Sequence, residues 1–266
     1  MKHSSTEFRA LAQAGTILRT QVGSGVHGIA IEGTDDRDEM GICVEPRSYV
    51  IGLRRFEQYL YRTAAERTGV EDAPSQPGDL DLVVYSLRKW LRLALQGNPT
   101  VITPLFAPEH DIVAITDLGR ELRAHPEMIV SRQAGHRFAG YLRGQRKRLH
   151  EGNVHSRVNR PALVEQYGFD VKFASHMVRL GVQGVELLET GRITLPMPEP
   201  WLTWIRDLRQ GRHTQQEALD AAADLEAQLE KLIKSSELPD EPDWDGATRW
   251  LISAYETVWA EQEAAR

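Results

Sequence analysis

The chain has 266 residues, 41% hydrophobic and 26% charged, with 32 Lys+Arg against 38 Asp+Glu for a formal net charge of -6. This is globular composition, sized for one large domain or two modest ones, and it excludes a disordered or fibrous chain. Its single cysteine, Cys43, excludes a disulfide scaffold, a Cys-based zinc site and a CxxC redox motif, and no apolar run approaches the ~18–20 residues that span a bilayer.

The N-terminus, MKHSSTEFRALAQAG, lacks the apolar stretch of a secretory signal, so the expected location is cytoplasmic. Ser4 or Ser5 caps a first helix with Phe8, Leu11 and Ala12 at helical spacing, and Gly15 ends it. Thr16–Val22 then reads as a strand rich in branched residues, stopping at Gly23-Ser24-Gly25. Met40–Val44 is a second, buried strand and Phe56–Tyr61 a third. The polar stretch 63–79, with two prolines and two glycines, reads as a flexible surface loop.

A fourth strand covers Leu80–Tyr85. Ser86 then caps an amphipathic helix that carries Leu87, Trp90, Leu91, Ala94 and Leu95 on one face and ends at Gly97-Asn98-Pro99. From about residue 117 the pattern is helical throughout, with helices near 117–124, 134–150, 171–190, 202–210, 215–235 and 246–263. The fold class is therefore α+β: an N-terminal sheet with helices over residues 1–115, then a C-terminal helical domain over 116–266. Trp201, Trp204, Trp244, Trp250 and Trp259 fall among apolar helical residues and are expected in the core.

The chemistry concentrates in Gly23-Ser24-Gly25-Val26-His27-Gly28 and in Asp36-x-Asp38-x-x-Gly41. A strand that ends in Gly-Ser just before a helix presents backbone N–H groups and a hydroxyl that suit phosphate oxygens. Asp36 and Asp38 are two apart, so on a strand both carboxylates leave the same face. Two such groups repel unless a cation lies between them, and their oxygens suit Mg2+ or Mn2+. Asp81 sits between Leu80 and Leu82 in an apolar strand, where a charge is costly unless it is paired or metal-bound. If the two strands are neighbours, three carboxylates converge and can hold two metal ions about 3.5–4 Å apart.

Taken singly, these signals are weak. GSGVHG alone reads as a plain turn, TDDRDE as a solvated acidic loop, and His27 as a packed or solvated imidazole. In order, with Asp81 downstream, they read as a site. Asp35 paired with Arg37 gives a poorer ligand set than Asp36 with Asp38, and Asp79 is the alternative to Asp81 outside the strand.

GSGVHG, DDRDEMGICV, DLDLVVYSLRKWLRLALQGNPT and YGFDVKFASHMVRL together resemble the DNA polymerase β nucleotidyltransferase superfamily, and more narrowly the nucleotidyltransferases found alongside RNA-repair genes of bacteria and phages. The resemblance implies that Gly23 and Ser24 hold a triphosphate and that Asp36, Asp38 and Asp81 bind catalytic metals. It also brings in Lys172, His176 and Arg179 of KFASHMVR as nucleotide-binding residues; on one helix they share a face. The superfamily's usual Ser-Asp-x-Asp is here Thr34-Asp35-Asp36-Arg37-Asp38, which lengthens the loop after Ser24 by one residue.

The implied activity is metal-dependent transfer of an NMP from an NTP such as ATP to an acceptor hydroxyl, with release of pyrophosphate. A nucleic-acid end, RNA favoured, is the first acceptor class. Protein or small-molecule acceptors, or a non-catalytic nucleotide sensor, are the alternatives. Arg137, Arg143, Arg146, Lys147 and Arg148, with Phe138 and Tyr141 interleaved, read either as a solvated helix face or as a polynucleotide groove. His150, His155, Arg157 and Arg160 extend that basic character into the loop that follows.

Overall fold

A computed structural model describes residues 3–31, 33, 35–150 and 160–264. Ser5 opens the first helix, α1 (Thr6–Gly15), its hydroxyl accepting from the Phe8 amide at 3.1 Å. Gly15 is obligatory at its end, because a Cβ there would overlap the Val44 carbonyl. β1 (Thr16–Val22) runs into a single helical turn, α2 (Gly23–Val26), and the chain returns as β2 (Arg37–Cys43). After the turn α3 (Arg47–Val50) come β3 (Gln58–Arg62), α4 (Thr63–Thr68), β4 (Leu80–Ser86) and α5 (Leu87–Leu95).

α6 (Thr103–Phe106), β5 (Ile112–Ile115) and α7 (Asp117–Ala124) follow. The long helices are α8 (Arg132–His150), α10 (Val171–Thr190), α12 (Gln215–Ser235) and α13 (Trp244–Ala264), with the shorter α9 (Pro161–Tyr167) and α11 (Trp201–Arg209) between them. No described helix is long and apolar enough to cross a membrane.

The five strands form one mixed sheet in the order β3-β4-β2-β1-β5. β2 and β4 are parallel, and the other neighbouring pairs are antiparallel. β2 is central and buried on both faces beyond its first two residues, which explains its uninterrupted Met40-Gly-Ile-Cys run. On one face of the sheet, Ala12 of α1 packs with Cys43, Tyr59, Leu82 and Val84. On the other, Leu18, Met40 and Ile42 are buried, and Asp38 and Asp81 continue the same alternation at the strand starts.

The chain divides into two compact units: Met1–Leu95, Thr100–Ile129 and Asp243–Arg266 in the first, Gln96–Pro99 and Val130–Pro242 in the second. This differs from a single cut near residue 115. α7 packs on β1, and Thr116 donates its amide to the Ile17 carbonyl at 2.9 Å, so both stay with the sheet. α13 also returns to the first unit. The Tyr255 hydroxyl donates to Glu45 at 2.7 Å, and Trp259 Nε1 donates to the Glu45 carbonyl at 2.9 Å.

In the second unit α8, α10 and α12 pack on one another, and glycines on α10 set how closely. A Cβ at Gly181 would lie 2.8 Å from Leu142 and Leu225, and one at Gly184 would lie 2.8 Å from Phe138.

Several expectations need correction. The stretch 63–79 is not plain loop: it begins with α4, and Arg67 grips Asp79 with two hydrogen bonds of 2.7 and 2.9 Å. Ile112–Ile115, which no pattern in the sequence marks as an element, is an edge strand beside β1. Pro161–Tyr167 is helical, while His155 and Arg157 lie outside the described residues. The five tryptophans expected in the core are half-buried or, at Trp244, exposed; the fully buried one is Trp90, whose Nε1 donates to the Val101 carbonyl at 3.0 Å. Two of the five use the indole N–H at the surface of the first unit, Trp250 toward Glu121 and Trp259 toward the Glu45 carbonyl.

Leu18 is fully buried and Leu53 fully exposed, so Leu18→Ala is expected to cost about 2–5 kcal/mol and Leu53→Ala under about 0.5 kcal/mol, read from urea midpoints.

Candidate active site

Strand register alone brings the acidic residues together. Asp38 stands opposite Asp81 in the parallel β2–β4 pair and opposite Val22 in the antiparallel β1–β2 pair. Side chains that are direct cross-strand partners share a face, so both carboxylates leave the sheet together. Asp36 lies just before β2, two residues from Asp38. One carboxylate oxygen from each of Asp36, Asp38 and Asp81 lies within 4.8 Å of the others, and all three residues are half-buried.

The open alternatives resolve on geometry. Asp35 is turned to its own loop, where its Oδ2 accepts from the Ile31 amide at 2.9 Å. Asp79 is tied down by Arg67 and by the Gln76 amide at 2.8 Å, and the Arg67 hydrogen bond holds its carboxyl below the usual carboxylate range. Asp79 thus anchors the loop before β4, and Asp81 completes the cluster.

Gly23 follows β1 directly. Its φ of +71° places it in the left-handed region, and a Cβ would overlap the Asp38 carboxylate. Ser24 is half-buried in the one-turn α2, and its carbonyl accepts from the Ile29 amide at 3.1 Å, closing the turn over the end of β1. The helix expected after Gly-Ser is thus only one turn long, so its contribution is local N–H groups rather than a macrodipole. His27 is buried beside it, as a packed imidazole would be.

Lys172, His176 and Arg179 lie on α10 in the second unit, and their surroundings there are specific. Arg179 is buried and donates to His176 Nδ1 at 2.8 Å and to Gln183 Oε1 at 2.7 Å. Burial pushes the Arg179 guanidinium down to about 10, which leaves it charged at neutral pH. Burial, with Arg179 and Arg160 nearby, pushes His176 from 6.5 to about 3. His176 is therefore a neutral acceptor that holds Arg179, not an acid or base near pH 7. Lys172 is half-buried at the start of the same helix.

The basic row on α8 is partly neutralised within its own unit. Arg146 reaches Glu226 at 2.5 Å, and Arg143 lies 3.7 Å from Glu226 and 3.4 Å from Glu230, both on α12. Phe138 is core, whereas Tyr141 is exposed.

Sequence reasoning passed over Arg62 and Ser75, which both hydrogen-bond Asp81. Arg62 ends an ordinary-looking strand and Ser75 sits in the polar stretch. Only the sheet order, with β3 beside β4, puts Arg62 next to Asp81.

A mixed sheet that sets an acidic triad beside a Gly-Ser turn defines a nucleotidyltransferase of polymerase β type. The family described as RlaP, RNA repair pathway DNA polymerase beta family, matches residues 2–253, and the chain belongs to it. Among solved structures, a nucleotidyltransferase-like protein from Exiguobacterium sibiricum matches over 86% of this chain and 72% of that one, with 13% identity and a TM-score of 0.31. No curated protein matches the chain.

Gly23→Ala is expected to push the Asp38 carboxylate aside and lower kcat about 100-fold, with near-wild-type circular dichroism as the control. His176 gives a stability prediction. Its folded pKa is depressed, so its contribution is full above the unfolded value of 6.5 and is lost as pH falls toward about 3. His176→Gln, which keeps an acceptor, should flatten the fall in urea midpoint between about pH 6.5 and pH 4.

Proposed function

We propose that the protein transfers a nucleoside monophosphate from an NTP to an acceptor hydroxyl, releasing pyrophosphate, in a reaction that depends on two Mg2+ or Mn2+ ions. The observation that carries this reading is the convergence of Asp36, Asp38 and Asp81 within 4.8 Å beside the Gly23–Ser24 turn. The donor set is all oxygen and all anionic, which fits a hard divalent cation. Bound there, such ions supply Lewis-acid polarisation of the α-phosphoryl group and neutralise charge on the leaving pyrophosphate.

The chain's own residues take the remaining tasks. Asp36 and Asp38 would ligate both ions, and Asp81 would ligate the ion that activates the nucleophile and could receive the hydroxyl proton. Gly23 and Ser24 would hold the β and γ phosphates, the Ser24 hydroxyl donating to them. Lys172, His176 and Arg179 enter on the family pattern: Lys172 as a phosphate contact, His176 and Arg179 as the hydrogen-bonded pair that fixes their helix. Positioning and electrostatics do most of the catalysis.

An RNA end is the acceptor this reading favours, supported by the family's RNA-repair description and by the basic row of α8. The ion pairs from Arg143 and Arg146 to Glu226 and Glu230 reduce the charge that row presents, so the RNA affinity should be moderate and strongly salt-sensitive. The dependence on NTP fits a cytoplasmic setting.

Pyrophosphate release from the four NTPs, with Mg2+ or Mn2+ and with or without an RNA oligomer, tests the reading. Release is expected to need one base and the RNA, to stop on chelation, and to fall below about 1% in Asp36→Ala/Asp38→Ala. Release that persists unchanged in the double variant would remove the metal assignment. Release without RNA would shift the acceptor to a protein or small molecule.

A further inference from the structure

The cross-strand row that sets Asp38 beside Asp81 has one more member. Arg62, the last residue of β3, is the direct antiparallel partner of Asp81, so its side chain leaves the sheet on the carboxylate face. Its Nε donates to Asp81 Oδ2 at 3.1 Å, its Nη2 to Ser75 Oγ at 2.9 Å, and its Nη1 to the Glu71 carbonyl at 3.1 Å. Ser75 Oγ lies 3.1 Å from each Asp81 oxygen. The loop that delivers Ser75 is held in turn by Arg67 on Asp79 and by the Arg37 amide donating to the Asp79 carbonyl at 2.8 Å.

We propose that Arg62 is a resident counter-ion of the metal site. It offsets one of the three crowded negative charges when no divalent cation is bound and, with Ser75, fixes the direction in which Asp81 presents its remaining lone pairs. A carboxylate has about four acceptor positions, so these contacts leave capacity for a metal. The inference rests on the reading of Asp36, Asp38 and Asp81 as metal ligands. It adds a sign to that reading, because Arg62 and the cation oppose each other. Each stabilises the same carboxylates and repels the other, so losing Arg62 makes the metal-free protein less stable and the metal more tightly held.

An arginine that merely tied β3 to β4 would behave differently, costing the same stability with or without metal. The Arg62 side chain is 32% exposed and that of Asp81 23%, so solvent screens the pair and the effect is modest.

The test uses the full chain. Arg62→Gln, Arg62→Lys and Ser75→Ala are compared by thermal unfolding in EDTA and in saturating Mn2+, and by Mn2+ binding followed by electron paramagnetic resonance. For Arg62→Gln the expected result is a lowered Tm in EDTA that Mn2+ largely restores, with Mn2+ affinity raised about threefold to tenfold. Arg62→Lys keeps the charge and should hold Mn2+ affinity near wild type. Ser75→Ala should do the same while lowering kcat, because Asp81 loses its orientation but no charge changes.

Equal Tm losses in EDTA and Mn2+, with affinity unchanged or weakened in Arg62→Gln, would overturn the counter-ion role alone. If Arg62→Gln does not fold, an affinity in Arg62→Lys that shifts as much as the loss of a ligand in Asp38→Asn would also overturn it. A wild type that binds no Mn2+ would overturn the metal-site reading and the counter-ion with it.

Discussion

Three carboxylates within 4.8 Å of one another are the constraint on which the rest of the first unit depends. At that distance a pair of full charges repels by roughly 3.5 kcal/mol for an effective dielectric near 20, and by less where water reaches them. Backbone pairing and a neighbouring positive charge both act on this cluster. Enforcement comes from backbone pairing: the parallel β2–β4 register leaves Asp38 and Asp81 no other place to go. Arg62 at the next position in the row hydrogen-bonds Asp81, and under the proposed function a divalent cation would supply the rest of the compensation. Gly23 belongs to the same arrangement, since any side chain there would displace Asp38.

The loop before β4 shows how surface chemistry supports a site at one remove. Arg67 and Asp79 carry opposite charges and meet with paired hydrogen bonds, which closes the polar stretch against α4. That closure presents Ser75 to Asp81. In the second unit, α10 plays a comparable supporting role. Its glycines admit Phe138, Leu142 and Leu225 at close range, and its buried Arg179 is held by a neutral His176 and by Gln183. The same helix therefore carries packing on one side and a fixed polar constellation on the other.

Much of this was legible because it is local. Period-2 and period-3.6 patterns located four strands and the long helices, and the Ser5 cap and the Gly-Asn-Pro stop behaved as their chemistry requires. The position of Asp81 in an apolar strand and of Asp79 in a turn was also readable locally. The parts that escaped are non-local. Ile112–Ile115 is too short to signal a strand, and only pairing with β1 makes it one. Arg62 gains meaning only once β3 lies beside β4. The return of α13 to the first unit depends on Glu45 meeting Tyr255 and Trp259 across some two hundred residues of sequence, which no local pattern encodes.

On the proposed function, Asp36, Asp38 and Asp81 form one metal site that serves nucleotidyl transfer. The most direct measurement is anomalous diffraction from crystals grown with Mn2+ and a non-hydrolysable NTP analogue. The expected result is manganese peaks about 2.0–2.4 Å from carboxylate oxygens of all three residues, with the analogue's phosphates next to Gly23 and Ser24. Manganese bound elsewhere, or nucleotide bound away from the three carboxylates, would contradict it.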